Sequence, residues 1–374
     1  NAQYDSAEFN PPDYTADPSP DFRNRLHTSV VSLDYRGVVS PLWTTTLQAS
    51  RNVDDLNSGG TTLTRYKTDR EQQTWQNALH LGAGQQVMLA YEHLGEKVSG
   101  DVFTAEPQRT NNAFVLGYSG RYGLAGLQAS VRHDDNSVYG DNTTGSVGAT
   151  YQISPQFKLR ALAGTTFRAP TFNDLFYPGY GVSSIQPERG RSFEVGASWQ
   201  SGNTSATATV YRNDVRDLIG YDPDPTGAHC PPGYFGCAAN TSRARLQGAT
   251  LGATQQWDGL EMRATVDFLD ARDADTGVRL ARRAAHQETL AVSYTRNAWS
   301  AGASLLDVGS RPDGGVVLGG YGIVDVHAAW RFHARWRLEA KLLNALDHRV
   351  EPVRDYQGLG RQAWIGVTFD GNGF

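Results

Sequence analysis

The amino-acid sequence predicts an all-β protein, a transmembrane antiparallel β-barrel that takes up most of the 374 residues. Three observations predict this fold. Apolar and polar residues alternate with a period of two, short turns alternate with long polar loops, and Trp and Tyr recur near strand ends. Together they are typical of strands that face lipid on one side and a lumen on the other.

The alternation is clearest in residues 336–342, where Trp, Leu and Ala side chains alternate with Arg, Glu and Lys. Residues 31–35, 127–132 and 290–294 repeat the pattern. A single strand of this kind fits a soluble β-sandwich equally well, so the connections between strands have to decide. Segments of roughly ten residues, the usual length of a tilted membrane strand, predict about seventeen strands.

The connections favour the barrel, because short periplasmic turns and long extracellular loops are its signature. Predicted short turns lie at 154–155, 201–203, 258–259 and 333–334, and predicted long loops at 53–65, 168–189, 221–241, 271–283 and 347–359. We divide the chain into an opening extracellular loop, 1–24, a barrel portion, 25–369, and a tail, 370–374. Seventeen is odd and the chain opens in a loop, so we expect that strands before residue 1 are missing.

Composition and aromatic placement agree with a bacterial outer-membrane location. The mean hydropathy of -0.48 is compatible with a barrel, since only every second residue has to be apolar. No run of eighteen apolar residues occurs, which argues against a membrane helix. An interfacial girdle is predicted from Trp75, Tyr91, Trp299, Trp336 and Trp364. The net charge of -5 argues against nucleic acid as a partner.

The two cysteines, Cys230 and Cys237, enclose Pro-Pro-Gly-Tyr-Phe-Gly. A close pair in a turn-rich loop favours a small disulfide in an oxidising compartment. The alternative is two unrelated free thiols.

Four segments resemble the TonB-dependent receptors of Gram-negative outer membranes. They are the run 164–171 followed by Asp174-Leu175-Phe176, the run Gln186-Pro187-Glu188, the run 343–347 and Gly360-Arg361. Within that family the chain is most similar to the cobalamin (vitamin B12) receptors, through 211–215, 217–222, 134–137, 270–272 and 280–284. The resemblance implies strands six to twenty-two of a 22-strand barrel, with the plug domain and TonB box absent from this chain.

What the resemblance implies for function is energised uptake of cobalamin or a related corrinoid, with the TonB complex and a plug as partners. A surface lipoprotein is a further partner that the sequence leaves open. A TonB-dependent siderophore receptor and a passive porin-like channel are the alternatives. Catalysis is not expected, because the adjacent pairs Asp347-His348 and His133-Asp134 are more often ordinary polar surface than parts of a hydrolase.

The opening loop is acidic, with Asp5, Asp13, Asp17 and Asp21 close together. By itself this pattern favours a solvated loop over a Ca²⁺ site, although Ca²⁺ prefers such oxygen ligands. The resemblance implies calcium that orders this loop, through Tyr4, Asp5 and Asp21, with Asp17 as a substitute. Further ligands would come from a preceding loop.

The resemblance also points to Tyr4, Arg282 and Tyr356 as contacts to the ligand. A corrinoid is a large ring rimmed with amides, so phenol and guanidinium groups on several loops suit it. Arg282 could equally face headgroups from a strand end, and Tyr356 could equally be a girdle aromatic. The loop around residues 311–314 lacks the Tyr-rich run of those receptors, which puts ligand contacts there in doubt.

Overall fold

The computed structural model describes residues 23–59, 62–82, 84–101, 103, 107–222, 229–234 and 236–371. They form an antiparallel sheet of seventeen strands, one small hairpin and one short helix. The elements are β1 Arg23–Ser40, β2 Trp43–Gly59, β3 Leu63–Gly82, β4 Gln85–Gly100, β5 Gln108–Tyr122, β6 Ala125–Asn136, β7 Gly140–Gln152, β8 Phe157–Arg168, α1 Phe172–Phe176, β9 Glu188–Ser201, β10 Thr204–Asp222, β11 Cys237–Gln256, β12 Leu260–Asp273, β13 His286–Arg296, β14 Trp299–Val308, β15 Arg311–Asp313, β16 Val316–Leu318, β17 Tyr321–His333, β18 Trp336–Leu343 and β19 Gln362–Phe369. The predicted all-β fold and the strand number are confirmed.

Each strand of the large sheet pairs antiparallel with its neighbour in chain order. The strand β14 pairs with β17, because β15 and β16 form a separate hairpin within the intervening loop. Within the described residues, no helix is long and apolar enough to cross a bilayer.

All connections at one end of the sheet are short. They lie at 41–42, 83–84, 123–124, 153–156, 202–203, 257–259, 297–298 and 334–335. Gly202 and Gly259 have φ of 55° and 75°, a conformation that glycine adopts without steric cost. Because the strands are antiparallel, the other connections lie at the opposite end of the sheet, which carries the long loops together with two short connections, 60–62 and 137–139.

One predicted loop is wrong. Residues 53–65 are mostly strand, since β2 and β3 continue as a hairpin whose connection is confined to residues 60–62. Cross-strand ion pairs support the extension: Arg65 to Asp55 at 2.5 Å and Arg51 to Asp69 at 2.6 Å. The polar residues that suggested a loop therefore pair with one another across a ribbon. The loops predicted at 221–241 and 271–283 are also shorter at their strand-side ends, because Cys237–Thr241 and Ala271–Asp273 are strand.

The two faces of the sheet differ in chemistry. On β9, Phe193, Val195 and Trp199 are exposed on one face, and the same face continues onto β10 with Val210, which pairs with Val195. We call this the apolar face. The other face carries the alternate residues, such as Glu194 on β9. On the same face, Glu92 of β4 and Arg132 of β6 form an ion pair at 2.5 Å. We call it the polar face.

Aromatic rings gather on the apolar face near the short connections. Trp299 stacks on Trp330 with ring centroids 5.0 Å apart, and Trp336 lies 4.8 Å from Phe369. Trp364, predicted as a girdle residue, is on the polar face instead. It pairs with Lys341, whose Nζ lies 5.1 Å from its ring centroid, while its neighbour Ile365 is 76% exposed on the apolar face. The position of a residue in the alternation of its strand decides which face it is on. The presence of an aromatic ring near a strand end does not decide it.

Candidate functional site

The loops at the long-connection end are held in place by side-chain bonds, and they form the candidate site. The 169–187 loop begins with α1, where Thr171 and Asp174 form a capping box. The Asp174 backbone N–H donates to Thr171 Oγ1 at 3.2 Å, and the Thr171 N–H donates to Asp174 Oδ2 at 2.9 Å. Reciprocal capping satisfies backbone donors that a short helix would otherwise leave unpaired.

Arg109 of β5 ties this loop to the polar face of the sheet. Its side chain is 12% exposed and its Nε lies 2.6 Å from Glu96, which is 13% exposed. The same guanidinium donates to the Pro170 carbonyl at 2.6 Å and lies 4.8 Å from the Phe172 ring centroid. A shielded charge pair of this kind has fixed geometry, so the loop is anchored above the mouth of the polar face.

The run Gln186-Pro187-Glu188 has a structural role at the end of the same loop. Glu188 accepts from Arg168 at 2.5 Å and from the Ile219 backbone N–H at 2.9 Å. Asn240 of β11 receives the Gln186 N–H at 2.9 Å and donates to the Gln186 carbonyl at 3.0 Å. The start of β9 is thus joined to β8, β10 and β11.

The two cysteines are joined in a disulfide that closes the 230–237 segment, with Cα atoms 5.7 Å apart. The next residue, Ala238, donates its backbone N–H to the Tyr180 carbonyl at 2.9 Å. Ala238 also forms a small buried core with Leu175 and Ile185. The disulfide segment therefore packs against the 169–187 loop.

Asn344 organises the last long loop, residues 344–361. It is 4% exposed, has φ of 46°, donates to the carbonyls of His348 at 2.9 Å and Leu359 at 3.2 Å, and accepts from the His348 N–H at 2.9 Å. Asp347 accepts from the Arg361 N–H at 2.8 Å. The two motifs at 343–347 and 360–361 thus close the two ends of one loop.

Asp313 joins three loops. Its side chain is 4% exposed and accepts from Arg282 Nε at 3.0 Å and from the Arg354 backbone N–H at 2.9 Å. Arg282 has φ of 60° and its own N–H donates to the Pro312 carbonyl at 2.7 Å. Arg311, 4% exposed, donates to the carbonyls of Pro352 at 3.0 Å and Gly319 at 3.2 Å. The 274–285, 309–320 and 344–361 loops therefore form one unit.

Two tyrosines lie beside Arg282. Its guanidinium carbon is 5.9 Å from the Tyr221 ring centroid, and Tyr221 stacks on Tyr180 with centroids 6.4 Å apart. Burial raises the pKa of the Tyr180 phenol, and the nearby Asp174 carboxylate raises it further. The phenol therefore stays neutral over the physiological range, and it donates to Asp174 Oδ1 at 3.4 Å. Tyr180, Tyr221 and Arg282 form a surface, which we call the Tyr–Arg surface, suited to a flat ring bearing amides.

The predicted contact residues are placed as follows. Arg282 is 44% exposed at its side chain, although its Nε is held by Asp313. Tyr356 is 54% exposed in the 344–361 loop, next to Asp355 and Arg354. Tyr4, Asp5, Asp17 and Asp21 lie outside the described residues. Asp313 joins the loops of Arg282 and Tyr356, a role that no pattern in the sequence indicates.

The histidines considered for catalysis have structural neighbours. His348 Nδ1 lies 3.1 Å from the Gly322 carbonyl, and His133 Nδ1 lies 2.9 Å from Thr143 Oγ1. In the part of the chain that the structure describes, no group of three or more His, Cys, Asp or Glu could hold a metal ion.

A model of the TonB-dependent receptor-like β-barrel family matches residues 1–345. The chain belongs to the TonB-dependent receptor β-barrel family. This family consists of outer-membrane transport receptors rather than enzymes. The apolar face is therefore the lipid-facing surface of an outer-membrane barrel, and the polar face lines its interior.

Two curated relatives of this receptor barrel are vitamin B12 transporters. The vitamin B12 transporter BtuB of Photobacterium profundum is 30% identical over 328 residues, which is 86% of this chain and 52% of the relative. That of Vibrio vulnificus is 27% identical over 330 residues, 84% of this chain and 52% of the relative. The chain thus spans about half the length of these relatives.

Solved structures share the fold of this receptor barrel at low identity. The ferric enterobactin receptor PfeA of Pseudomonas aeruginosa has a TM-score of 0.75 at 16% identity, covering 92% of this chain and 62% of its own. The FrpB iron transporter of Neisseria meningitidis has 0.75 at 15%, covering 92% and 64%. These likenesses concern the fold and leave the transported ligand open.

Proposed function

We propose that the protein to whose barrel this chain belongs imports cobalamin or a related corrinoid across the outer membrane, energised by the TonB complex. The observation that carries the proposal is the 30% identity to a vitamin B12 transporter over 86% of the chain. The ligand is transported unchanged. The chain binds it, orients it and excludes competing ligands through the loops at its long-connection end.

The geometry of those loops supports the proposal. A large rigid ligand is bound best by several loops already fixed relative to one another, because little conformational entropy is then lost on binding. Asp313 links the loop of Arg282 to the loop of Tyr356, and Tyr180 and Tyr221 lie beside Arg282. Phenol and guanidinium groups offer stacking surface and hydrogen-bond donors to the amides that rim a corrinoid.

Calcium belongs to the same proposal. Tyr4, Asp5 and Asp21, with Asp17 as a substitute, supply oxygen ligands of the type that Ca²⁺ prefers, completed by a neighbouring loop. Calcium there would order the opening loop above the ligand and place Tyr4 against it. The ion contributes order and does no chemistry on the corrinoid.

The partners follow from the family. A plug domain inside the barrel would rearrange when the inner-membrane TonB complex pulls on its TonB box. A surface lipoprotein that covers the loops is a further proposed partner.

The deciding experiment is equilibrium binding of cyanocobalamin to the full-length protein in detergent, with and without Ca²⁺. We expect saturable binding that weakens when EGTA removes calcium. Binding of an iron–siderophore complex, with none of cyanocobalamin, would replace the corrinoid with the siderophore alternative. Steady conductance of the full-length protein in planar bilayers, without ligand binding, would support a passive channel instead.

A further inference from the structure

An excess of positive charge lies on the apolar face, just beyond its apolar band at the long-connection end. Six arginines lie there on β9, β10 and β11, namely Arg189, Arg191, Arg212, Arg216, Arg243 and Arg245. They share this face with Phe193, because residues of the same strand two apart point the same way. Two carboxylates, Asp214 and Asp275, contact the arginines, which leaves an excess of four positive charges.

The strand register places three of these arginines directly opposite one another. Arg189 pairs with Arg216, and Arg216 pairs with Arg243. Like charges opposite each other across strands destabilise a sheet. Arg243 contacts Asp275, whereas Arg189 and Arg216 have no acidic partner among the described residues. A row of this kind is stable when an anion lies over it.

The neighbouring row of this face, one step closer to the apolar band, consists of Arg191, Asp214 and Arg245, and its positive charge is partly neutralised. Asp214 lies between Arg191 and Arg245 in the register, and it accepts from Arg212 at 2.7 Å and from Arg245 at 3.0 Å. These arginines are held in place by Asp214, with 47% and 43% of their side chains still exposed. Fixed, partly exposed guanidinium groups are the standard partners of phosphate, which they bind through two parallel N–H donors.

Two adjoining cavities match the two parts of a lipid. The charged one has a volume of about 590 Å³ and is lined by Arg189, Arg191, Arg216, Arg243 and Arg245. The apolar one, of about 500 Å³, lies where the small side chains of Ala149, Ala161 and Ala163 leave a depression on the apolar face. Phe193, 54% exposed, borders both. A charged recess above an apolar groove on a membrane surface fits an anionic amphiphile.

We infer that this site binds a lipid of the outer leaflet whose headgroup carries phosphate, with an acyl chain along the Ala-lined groove and the phosphate over Arg189 and Arg216. The long loops of an outer-membrane barrel face the extracellular side, so the arginines lie at the headgroup level of that leaflet. A basic recess at this depth is the expected recognition element for such a headgroup. The inference is independent of the transported ligand.

The test is equilibrium binding of diphosphorylated lipid A to the full-length protein in a nonionic detergent, measured by native mass spectrometry. The double variant Arg189→Gln/Arg216→Gln should weaken binding at least about tenfold, the scale of a lost charged contact. The matched control Arg121→Gln/Arg296→Gln changes two exposed arginines near the short connections and should bind like the unaltered protein. Equal affinity of all three proteins would overturn the inference.

Two further arms separate the alternatives. Ala163→Leu, which fills the groove without changing charge, should weaken lipid A binding while the barrel stays folded, and it keeps the inference testable if the double variant assembles poorly. Inorganic phosphate should fail to displace the lipid. Complete displacement by millimolar phosphate, or full affinity of Ala163→Leu, would overturn the assignment of a lipid.

Discussion

Arg282 Nε and Asp313 Oδ1 are 3.0 Å apart across a loop boundary, and the carboxylate is almost completely shielded from water. The same carboxylate accepts the backbone N–H of Arg354. A buried carboxylate with two donors fixes both donors, because leaving either lone pair unsatisfied is costly. One side chain therefore sets the spacing between the two loops proposed to contact the ligand.

Replacing Asp313 tests that spacing. Asp313→Asn removes the charge and should weaken cyanocobalamin binding by about tenfold, since Arg282 loses its charged partner and one amide oxygen is left for two donors. Asp258→Asn, at a short turn on the opposite end, is the control and should leave affinity unchanged. Isothermal titration of the full-length protein measures both. Unchanged affinity in Asp313→Asn would show that the loops are held by other contacts.

Tyr356 tests the direct contact. Tyr356→Ala removes an exposed ring and its hydroxyl, and we expect cyanocobalamin binding to weaken by about tenfold or more, as for an aromatic contact residue. Folding should be unaffected, because the side chain is 54% exposed. Tyr151→Ala, whose ring is 52% exposed near a short turn, is the matched control. A ligand that binds Tyr356→Ala as tightly as the unaltered protein does not contact this ring.

Calcium dependence tests the opening loop. Asp5→Asn with Asp21→Asn should remove the calcium-dependent part of cyanocobalamin binding, because neutral amides are weaker ligands for Ca²⁺ than carboxylates. Asp13→Asn changes an acid of the same loop that is not proposed as a ligand, and it should keep the dependence. Binding curves in calcium and in EGTA decide the matter. A receptor whose affinity is the same in both has no calcium-ordered loop.

The disulfide between Cys230 and Cys237 can be tested by thiol labelling and by limited proteolysis. Cys230 and Cys237 should resist iodoacetamide until a reductant is added. Replacing both by serine should loosen the 230–237 segment, because the chain-entropy model assigns about 2.5 kcal/mol to a loop this short. Limited proteolysis followed by mass spectrometry should then show faster cleavage within that segment and unchanged cleavage at 297–298. Two thiols that react without reductant would contradict the pairing.

Asn344 should matter more than other residues with the same backbone conformation. Asn344→Ala removes the hydrogen bonds of its side chain to the carbonyls of His348 and Leu359 and to the His348 N–H, at about 1 kcal/mol for each bond. Asn297, with φ of 54° in an exposed turn, supplies the control Asn297→Ala. Urea unfolding of the barrel should show a large loss for the first variant and a small one for the second. Equal losses would mean that backbone strain, not hydrogen bonding, dominates.

The fold could be predicted because alternation and connection length are local properties of the chain. The strands around residues 127–132 and 336–342 follow directly from them. The exceptions also have local causes that a single strand does not reveal. Most of residues 53–65 are polar, yet 53–59 and 63–65 are strand, and the ion pair between Arg65 and Asp55 joins the two strands. The aromatic character of Trp364 predicts a girdle residue, whereas its position in the alternation of β19 puts it on the polar face.

The site could be predicted only in part, because its decisive contacts join residues that are distant in sequence. Arg282 and Asp313 are 31 residues apart, and no pattern in either segment predicts that the two side chains are in contact. The family resemblance singled out Arg282, but not the carboxylate that orients it. The arginine row has the same character: Arg189, Arg216 and Arg243 look unremarkable singly, and only the register brings them side by side.

The shared carboxylate of Asp313 also bears on how the ligand preference of such a barrel can be altered. Transplanting residues 344–361 from a relative would bring a foreign backbone to a fixed acceptor, and transplanting 274–285 would remove the guanidinium that faces it. In chimeras that exchange only one of these loops, the contacts between Asp313 and the other two loops should therefore be incomplete. Chimeras that exchange 274–285, 309–320 and 344–361 together should keep these contacts. The three segments are therefore expected to be exchangeable only as a unit.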